Sequence, residues 1–203
     1  MEDFEALLAR IMALGAGRRL IAVAGPPAAG KSHLAARLVA ALPDAALVPM
    51  DGFHLDNQIL DASGLRAVKG APETFDAAGF LALIGRIKAG GAVVYPEFDR
   101  DLDLAIAGRG QVRAETRLVV VEGNYLLLDE APWCGLADLW DLTIAIEAGE
   151  ALLRRRLEAR WRDQGCDAAG IADHLRNDLA NAARVMAGSR PAGVTVNFSD
   201  ETP

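Results

Sequence analysis

The chain has 203 residues, of which 52% are hydrophobic, and its 28 acidic against 21 basic side chains give a formal net charge of −7. This length predicts a single domain, over 1–203, with a sizeable core. Nucleic-acid binding requires clustered positive charge, so the acidic composition excludes a general DNA or RNA partner. Every apolar run is shorter than the roughly 18 residues that a membrane-spanning helix needs, so we expect no membrane partner.

The start of the chain and its cysteines bear on location. The first ten residues are acidic and amphipathic, unlike the basic-then-apolar order of a secretory signal. Cys134 and Cys166 form no CxxC pair; a lone disulfide is one interpretation, but we expect reduced thiols. These features predict a cytoplasmic protein.

Helices and short apolar strands alternate along the chain. In chain order, we predict a helix over 4–12, a strand over 19–24, a helix over 31–42, a strand over 45–50, an irregular polar stretch to about residue 75, a helix over 77–89, strands over 92–95, 117–121 and 142–146, and helices over 150–162 and 170–187. This alternation indicates an α/β fold with a mostly parallel sheet and helices on both faces. Ligands of such sheets bind beyond the carboxyl ends of the strands, which here are followed by 25–32, 51–54, 96–100 and 122–125.

The segment 25–32 matches the phosphate-loop pattern G-x-x-x-x-G-K-[ST], with a predicted strand before it and a helix after it. Backbone amides and the positive end of the helix dipole bind phosphate oxygens in such loops. Lys31 is expected to reach the β- and γ-phosphates, and Ser32 to bind Mg²⁺. The predicted nucleotide-binding set is Gly25, Ala28, Ala29, Gly30, Lys31, Ser32 and His33. The alternative is an ordinary Gly/Pro turn into a helix.

Two carboxylates follow other predicted strands. Glu122 comes directly after 117–121, where an acidic residue can hold Mg²⁺, bind substrate or simply face solvent. Asp51 follows 45–50, and Gly52 beside it would permit a sharp turn. We favour Asp51 as the base that accepts a hydroxyl proton during phosphoryl transfer, over an Asp that caps a turn. Nearby, His54 either contacts a substrate oxygen or packs at the pocket mouth.

An arginine cluster occupies 154–162, where five of nine residues are Arg. Arg156 and Arg160 are four positions apart and share a helix face. We predict a lid over about 154–170 whose arginines neutralise charge on the transferring phosphoryl group and exclude water. The alternative is a solvated charged face, which is the usual role of a charge run.

Five motifs then occur in a fixed order. They are GPPAAGKS (25–32), MDGFHLDN (50–57), KGAPETFD (69–76), YPEFDR (95–100) and VEGNYLLLD (121–129). This set resembles the phosphoribulokinase/uridine kinase/type I pantothenate kinase superfamily, and most of all the bacterial proteins called fructose transport system kinases or nucleoside/nucleotide kinase family proteins. The resemblance covers roughly 20–190 and implies a three-layer P-loop NTPase fold with an arginine-bearing lid.

The resemblance also implies roles for individual residues. Asp51 matches the proposed catalytic base, Glu122 a metal- or substrate-binding position, and the arginines around 156–160 the lid. Phe98 and Asp99 match a Tyr-Asp pair near the acceptor, but Arg100 replaces an aromatic residue that follows this pair in uridine kinases. The expected acceptor set is His54, Phe98, Asp99, Arg100, Glu122, Asn124 and Tyr125. Arg100, together with Arg66 and Lys69, favours an acceptor that carries negative charge.

The predicted function is transfer of the ATP γ-phosphoryl group to a hydroxyl of a small molecule, with Mg²⁺ as cofactor. Candidate acceptors are a sugar such as fructose, a nucleoside and a pantothenate-like carboxylate, and a monomer and a homodimer are both compatible with the sequence. One alternative is a nucleotide-dependent switch or assembly factor with slow hydrolysis, and another is a degenerate kinase that binds ATP without turnover. An N-K-x-D guanine-reading motif is absent from the sequence, which argues against a GTPase.

Overall fold

The computed structural model describes residues 4–197, and five of the strands in that range form one parallel sheet. In order across the sheet these are β2 (Ala45–Pro49), β5 (Leu118–Gly123), β1 (Arg19–Ala24), β6 (Leu142–Glu147) and β7 (Val194–Asn197). The mostly parallel α/β fold is therefore confirmed. The outermost parts of the predicted domain, 1–3 and 198–203, lie outside the described residues.

The central strands β1 and β5 are buried on both faces, which explains why their sequences are nearly continuous apolar runs rather than alternating ones. On β1, Leu20 and Ala22 belong to one hydrophobic core, whereas Ile21 and Val23 belong to the other. Helices cover both faces of the sheet, which makes the three layers of the predicted fold. The α-helices are α1 (Phe4–Met12), α2 (Lys31–Ala41), α3 (Asn57–Ala62), α4 (Ala77–Ala89), α5 (Glu150–Asp163) and α6 (Ala168–Gly188).

Most helix positions agree with the sequence prediction because their start signals are local. Asp76 caps α4 by accepting a hydrogen bond from the Gly79 amide at 2.8 Å, and Asp167 caps α6 in the same way from Gly170 at 2.8 Å. Within residues 4–197, no helix is both long and apolar enough to cross a lipid bilayer.

Two predictions about the middle of the chain are wrong. The predicted irregular stretch to residue 75 contains α3 and short 3-10 helices at Met50–Phe53, Arg66–Val68 and Pro72–Thr74. The predicted strand over 92–95 continues past Pro96 as β3 (Val93–Asp99) and pairs antiparallel with an unpredicted strand, β4 (Leu104–Val112). Most of β4 is exposed, so it lacks the apolar alternation that marks a half-buried strand. Another unpredicted 3-10 helix, Trp133–Leu139, and strand β7 lie in the second half of the chain.

The β3–β4 hairpin packs against the end of β2. The Tyr95 hydroxyl donates to the Leu47 carbonyl at 2.6 Å, and Gly52 lies directly against the backbone of Pro96. The hairpin therefore forms one wall beside the carboxyl edge of the parallel sheet.

Candidate active site

The carboxyl ends of β1, β2 and β5 lie side by side. In the strand register, Ala24 is opposite Gly123, and Pro49 is opposite Glu122. The three segments that follow these strands therefore meet at one edge, as the sequence predicts for a parallel sheet.

The phosphate loop connects β1 to α2. Gly25 has no room for a side chain, because a Cβ there would lie 2.7 Å from the Ile146 carbonyl oxygen. Ala28 adopts a left-handed backbone conformation, with φ of 61°, and Gly30 occupies the N-cap position of α2. Since Gly30 has no side chain to cap the helix, the first-turn amides of α2 remain available to an anion.

Lys31 is buried, and its ammonium donates to the Pro26 carbonyl at 2.9 Å. Burial lowers the pKa of Lys31 to about 8, although the nearby carboxylates of Glu122 and Asp51 oppose this shift and the positive charge of Arg160 adds to it. At neutral pH the side chain still carries its charge, in the position expected for a group that binds phosphate oxygens.

Ser32 and Glu122 are brought into contact although they are far apart in sequence. The Ser32 hydroxyl donates to Glu122 Oε1 at 3.3 Å. Burial raises the pKa of Glu122, as does the negative charge of Asp51, while Lys31 and the Ser32 hydroxyl hold it down. A cation at this point would remove the penalty of burying the carboxylate.

The donor set fits magnesium better than a structural metal. Among residues 4–197, no three His, Cys, Asp or Glu side chains cluster closely enough to hold a metal ion by themselves. Mg²⁺ is usually held by one or two protein oxygens together with substrate phosphates and water, and one hydroxyl and one carboxylate at the phosphate loop supply those oxygens. Ser32 and Glu122 are therefore the residues that would hold it.

Asp51 lies in the 3-10 helix that follows β2. Its carboxylate accepts a hydrogen bond from Arg100 Nη2 at 2.7 Å, while its backbone carbonyl accepts from the His54 amide. The side chain thus engages a guanidinium of the hairpin, and the turn is held by the backbone.

A cavity of about 280 Å³ opens between Asp51 and the hairpin. Its lining residues are Leu47, Pro49, Asp51, Glu97, Phe98, Arg100 and Glu122. Four predicted site residues therefore share one space. Leu47, Pro49 and Glu97 were not among the predicted site residues, although Glu97 lies in the segment 96–100 that follows the strand predicted over 92–95.

Three other predicted acceptor residues make different contacts. Asp99 accepts from Arg109 Nη1 at 2.7 Å and from the Leu102 amide at 3.1 Å, so its carboxylate holds the tip of the hairpin. Tyr125 is buried, and its phenol donates to the Gly70 carbonyl at 2.5 Å. The structure places none of Asp99, Asn124 and Tyr125 in the lining of the cavity.

His54 is also absent from the lining of the cavity, but it packs between Phe75 and the lining residue Phe98. Its ring centroid lies 4.0 Å from that of Phe75 and 4.8 Å from that of Phe98. Its Nδ1 is buried and has no hydrogen-bond partner among the residues described. Burial lowers the pKa of His54 to about 4, against the opposing charge of Asp51, so the imidazole is neutral at physiological pH.

This shift predicts an acid-dependent loss of stability. The pKa of His54 is about 4 in the folded protein and 6.5 in the unfolded chain, so the unfolded chain binds more protons between these values and stability falls as pH drops through this window. Between pH 7.5 and 5, we expect the free energy of unfolding of the wild type to fall by about 1–2 kcal/mol more than that of His54→Gln. Urea unfolding at the two pH values measures this difference. His33→Gln, on the exposed side of α2, is the matched control. An equal loss in the wild type and His54→Gln would contradict the prediction.

The arginine cluster lies on α5, next to the phosphate loop. Arg156 Nη1 donates to the Ala28 and Ala29 carbonyls at 3.3 and 3.4 Å. Arg160 is exposed to solvent; partial desolvation lowers its pKa, and the charge of Arg100 adds to this while Asp178 and Asp51 oppose it. Arg156 therefore contacts the phosphate loop, and Arg160 lies close enough to Lys31, Arg100 and Asp51 to interact with their charges.

The helix α6 braces this part of α5. The Trp161 indole donates to Asp178 Oδ2 at 2.8 Å, and its ring stacks on His174 with centroids 3.7 Å apart. His174 therefore packs α6 against α5.

Comparison with known proteins identifies kinases as relatives, although no family model matches the chain. A "Putative uridine kinase" of Schizosaccharomyces pombe (strain 972) is 32% identical over 81% of this chain and 76% of its own length. A pantothenate kinase of Bradyrhizobium sp. (strain ORS 278) is 34% identical over 87% of this chain and 66% of its own length. The "Uncharacterized protein YggC" of Escherichia coli K12 is 36% identical over 96% of this chain and 84% of its own length.

A solved structure agrees with these relatives. The crystal structure of a "putative fructose transport system kinase" from Silicibacter sp. TM1040 matches with a TM-score of 0.91 and 44% identity. It covers 96% of this chain and 98% of its own. The similarity therefore extends over the sheet, the phosphate loop, the hairpin and the α5–α6 pair.

Proposed function

The chain belongs to the P-loop kinase superfamily of uridine kinases, pantothenate kinases and phosphoribulokinases, and from this membership we propose that it transfers the γ-phosphoryl group of ATP to a hydroxyl of a small molecule. The observation that carries the proposal is that one residue, Glu122, borders both the phosphate loop and the cavity. Glu122 contacts Ser32 of the phosphate loop and also lines the cavity that contains Asp51. An acceptor in that cavity would therefore lie beside the terminal phosphate.

The ATP side of the site is built from the phosphate loop. The amides at the start of α2 and the Lys31 ammonium bind the phosphates, and Ser32 with Glu122 would hold Mg²⁺. When bound, the metal would neutralise part of the negative charge of the phosphates. We assign Gly25, Ala28, Ala29, Gly30 and His33 to the same phosphate-binding segment.

Asp51 performs the acid–base work on the acceptor side. Arg100 engages Oδ2 of its carboxylate, and we propose that Oδ1 accepts the proton of the attacking hydroxyl. The hydroxyl oxygen then forms the new bond to phosphorus as the bond to the departing ADP oxygen breaks.

In this proposal, the arginines of the lid region over 154–170 supply positive charge on the ATP side of the site. Arg156 contacts the phosphate loop itself. Arg160 lies close enough to Lys31, Arg100 and Asp51 for electrostatic interaction with them. We therefore propose that Arg160 stabilises the transferring phosphoryl group and that Arg156 holds α5 against the loop.

Arg160→Ala tests this division of roles. We expect a decrease in kcat of about 100-fold or more, because a charge-stabilising donor of the transition state is lost. Arg154→Ala is the matched control, since Arg154 lies on the same helix and pairs with Glu150 at 3.5 Å on the exposed surface. We expect it to stay within about twofold of the wild type. Similar rates for the two variants would contradict the assignment of Arg160.

The function itself is tested by ATP turnover in the presence of Mg²⁺ and a panel of sugars, nucleosides and vitamin precursors. Acceptor-stimulated ADP release, with a phosphorylated acceptor detected by mass spectrometry, supports a kinase. Slow hydrolysis that no acceptor changes would instead support a nucleotide-dependent switch and overturn the proposal.

A further inference from the structure

The basic side chains on the acceptor side are each paired with an aspartate. The pairs are Lys69 with Asp103 at 2.6 Å, Arg100 with Asp51 at 2.7 Å, and Arg109 with Asp99 at 2.7 Å. Lys69 also donates to the Asn57 side chain at 2.8 Å. These cations are the groups that an acidic acceptor would need, and their charge is already balanced by carboxylates of the protein.

Arg66, the remaining cation that favoured an acidic acceptor from the sequence, is balanced as well. Its guanidinium lies 3.3 Å from Asp61 and 4.0 Å from Asp103. Lys31 and Arg160 are also positive, but the proposed function assigns them to the phosphates of ATP. Their charge would therefore be balanced by the nucleotide and not by the acceptor. Within residues 4–197, each of these four cations of the acceptor side is therefore balanced by a carboxylate.

The surplus on this side is negative. Glu97 lines the cavity, and the Arg109 Nε atom that it approaches is 4.0 Å away and belongs to a guanidinium already hydrogen-bonded to Asp99. An anionic acceptor would have to displace an aspartate from its partner or lie unpaired near Glu97. Both arrangements place like charges close together, which disfavours binding.

The same walls suit hydroxyl groups and an apolar ring face. Carboxylates such as Glu97 and Asp51 accept hydrogen bonds from hydroxyls. Phe98 presents an aromatic surface to the cavity, and His54 beside it adds a ring without charge. The space of about 280 Å³ is of the size that a small molecule fills.

We propose that the acceptor is an uncharged polyhydroxy compound, a sugar, a polyol or the ribose of a nucleoside, and not a carboxylate or a phosphate ester. The inference rests on the proposed kinase function and specifies the substrate class of the same site. It reverses the preference for a negatively charged acceptor that Arg100, Arg66 and Lys69 give when they are considered without their partners.

The experiment compares acceptors in pairs that differ by one acidic group. The pairs are D-fructose with D-fructose 6-phosphate, D-glucitol with D-gluconate, uridine with uridine monophosphate, and panthenol with pantothenate. The readout is kcat/KM for acceptor-stimulated ADP release at fixed ATP and Mg²⁺. In each pair that supports turnover, we expect the kcat/KM of the neutral member to be about tenfold higher or more. Comparison of the sugar pair with the nucleoside pair shows whether the acceptor is a free sugar or the ribose of a nucleoside.

The outcomes separate the two proposals. Phosphorylation of an anionic member with equal or higher kcat/KM would overturn the inference and leave the kinase function standing. Absence of stimulated turnover by every compound would overturn the kinase function, and the inference with it.

A variant tests the stated cause. Glu97→Gln removes the surplus charge, and we expect the neutral-to-anionic preference to fall by about threefold or more. Glu115→Gln is the matched control, because Glu115 is exposed and pairs with Arg113 at 3.8 Å, outside the cavity lining. An unchanged preference in Glu97→Gln would show that the charge balance of this wall does not select the acceptor.

Discussion

Asp51→Asn is expected to lower kcat by about 100- to 10,000-fold, because an amide of the same shape cannot accept the proton of the attacking hydroxyl. The ion pair with Arg100 is also lost, but the guanidinium is well exposed, so the free energy of unfolding should change by less than about 1 kcal/mol. The measurement is acceptor-stimulated ADP release, together with ATP affinity by calorimetry, which the substitution should leave near the wild-type value.

Asp101→Asn is the matched control for this change. Asp101 is exposed in the turn of the hairpin, directly after Arg100. The substitution removes one negative charge, as Asp51→Asn does, and should leave kcat within about twofold of the wild-type value. Phosphoryl transfer at full rate by Asp51→Asn would show that another group, or the substrate itself, takes the proton.

Gly52→Ala is expected to impair both stability and catalysis. A Cβ at this position would lie 2.0 Å from the Pro96 carbonyl oxygen and 2.6 Å from its carbonyl carbon. Backbone atoms cannot move aside as a flexible side chain can, so the hairpin and the turn that holds Asp51 must separate. We expect a loss of about 1–3 kcal/mol in the free energy of unfolding, measured by urea titration, and a lower melting temperature.

Gly85→Ala provides the opposite expectation for the same chemical change. Gly85 is inside α4, and a Cβ added there would point into open space among residues 4–197. Removing a glycine from a helix interior should raise stability by up to about 1 kcal/mol. Equal effects of the two substitutions would show that Gly52 is not required by its contact with Pro96. A Gly52→Ala protein that is destabilised yet fully active would separate folding from the placement of Asp51.

The sequence predicted those features that depend on neighbouring residues. Strand β1 is apolar at nearly every position because both faces of the parallel sheet are covered, and its end is marked by the phosphate loop. The position of Asp51 directly after a strand was enough to place it at the carboxyl edge. The β3–β4 hairpin was missed because β4 is mostly exposed and Pro96 interrupts the other strand.

Gly52 shows how a correct assignment can have a different physical cause. The sequence suggested a sharp turn after the strand. In the structure its backbone φ is ordinary for any residue, and the requirement for glycine comes from the hairpin backbone that packs against it. A contact between segments more than 40 residues apart leaves no local pattern.

By itself the sequence determined the α/β class, the phosphate loop and the acidic residues that follow the strands, because these follow from local patterns of apolar residues and glycine. The tertiary structure alone decided which charges face one another. Arg100 and Asp51 are 49 positions apart, and Lys69 and Asp103 are 34 apart, so their mutual neutralisation depends on the hairpin and the segment before α4 being folded side by side. An arginine predicts an acidic ligand only while its partner is unknown.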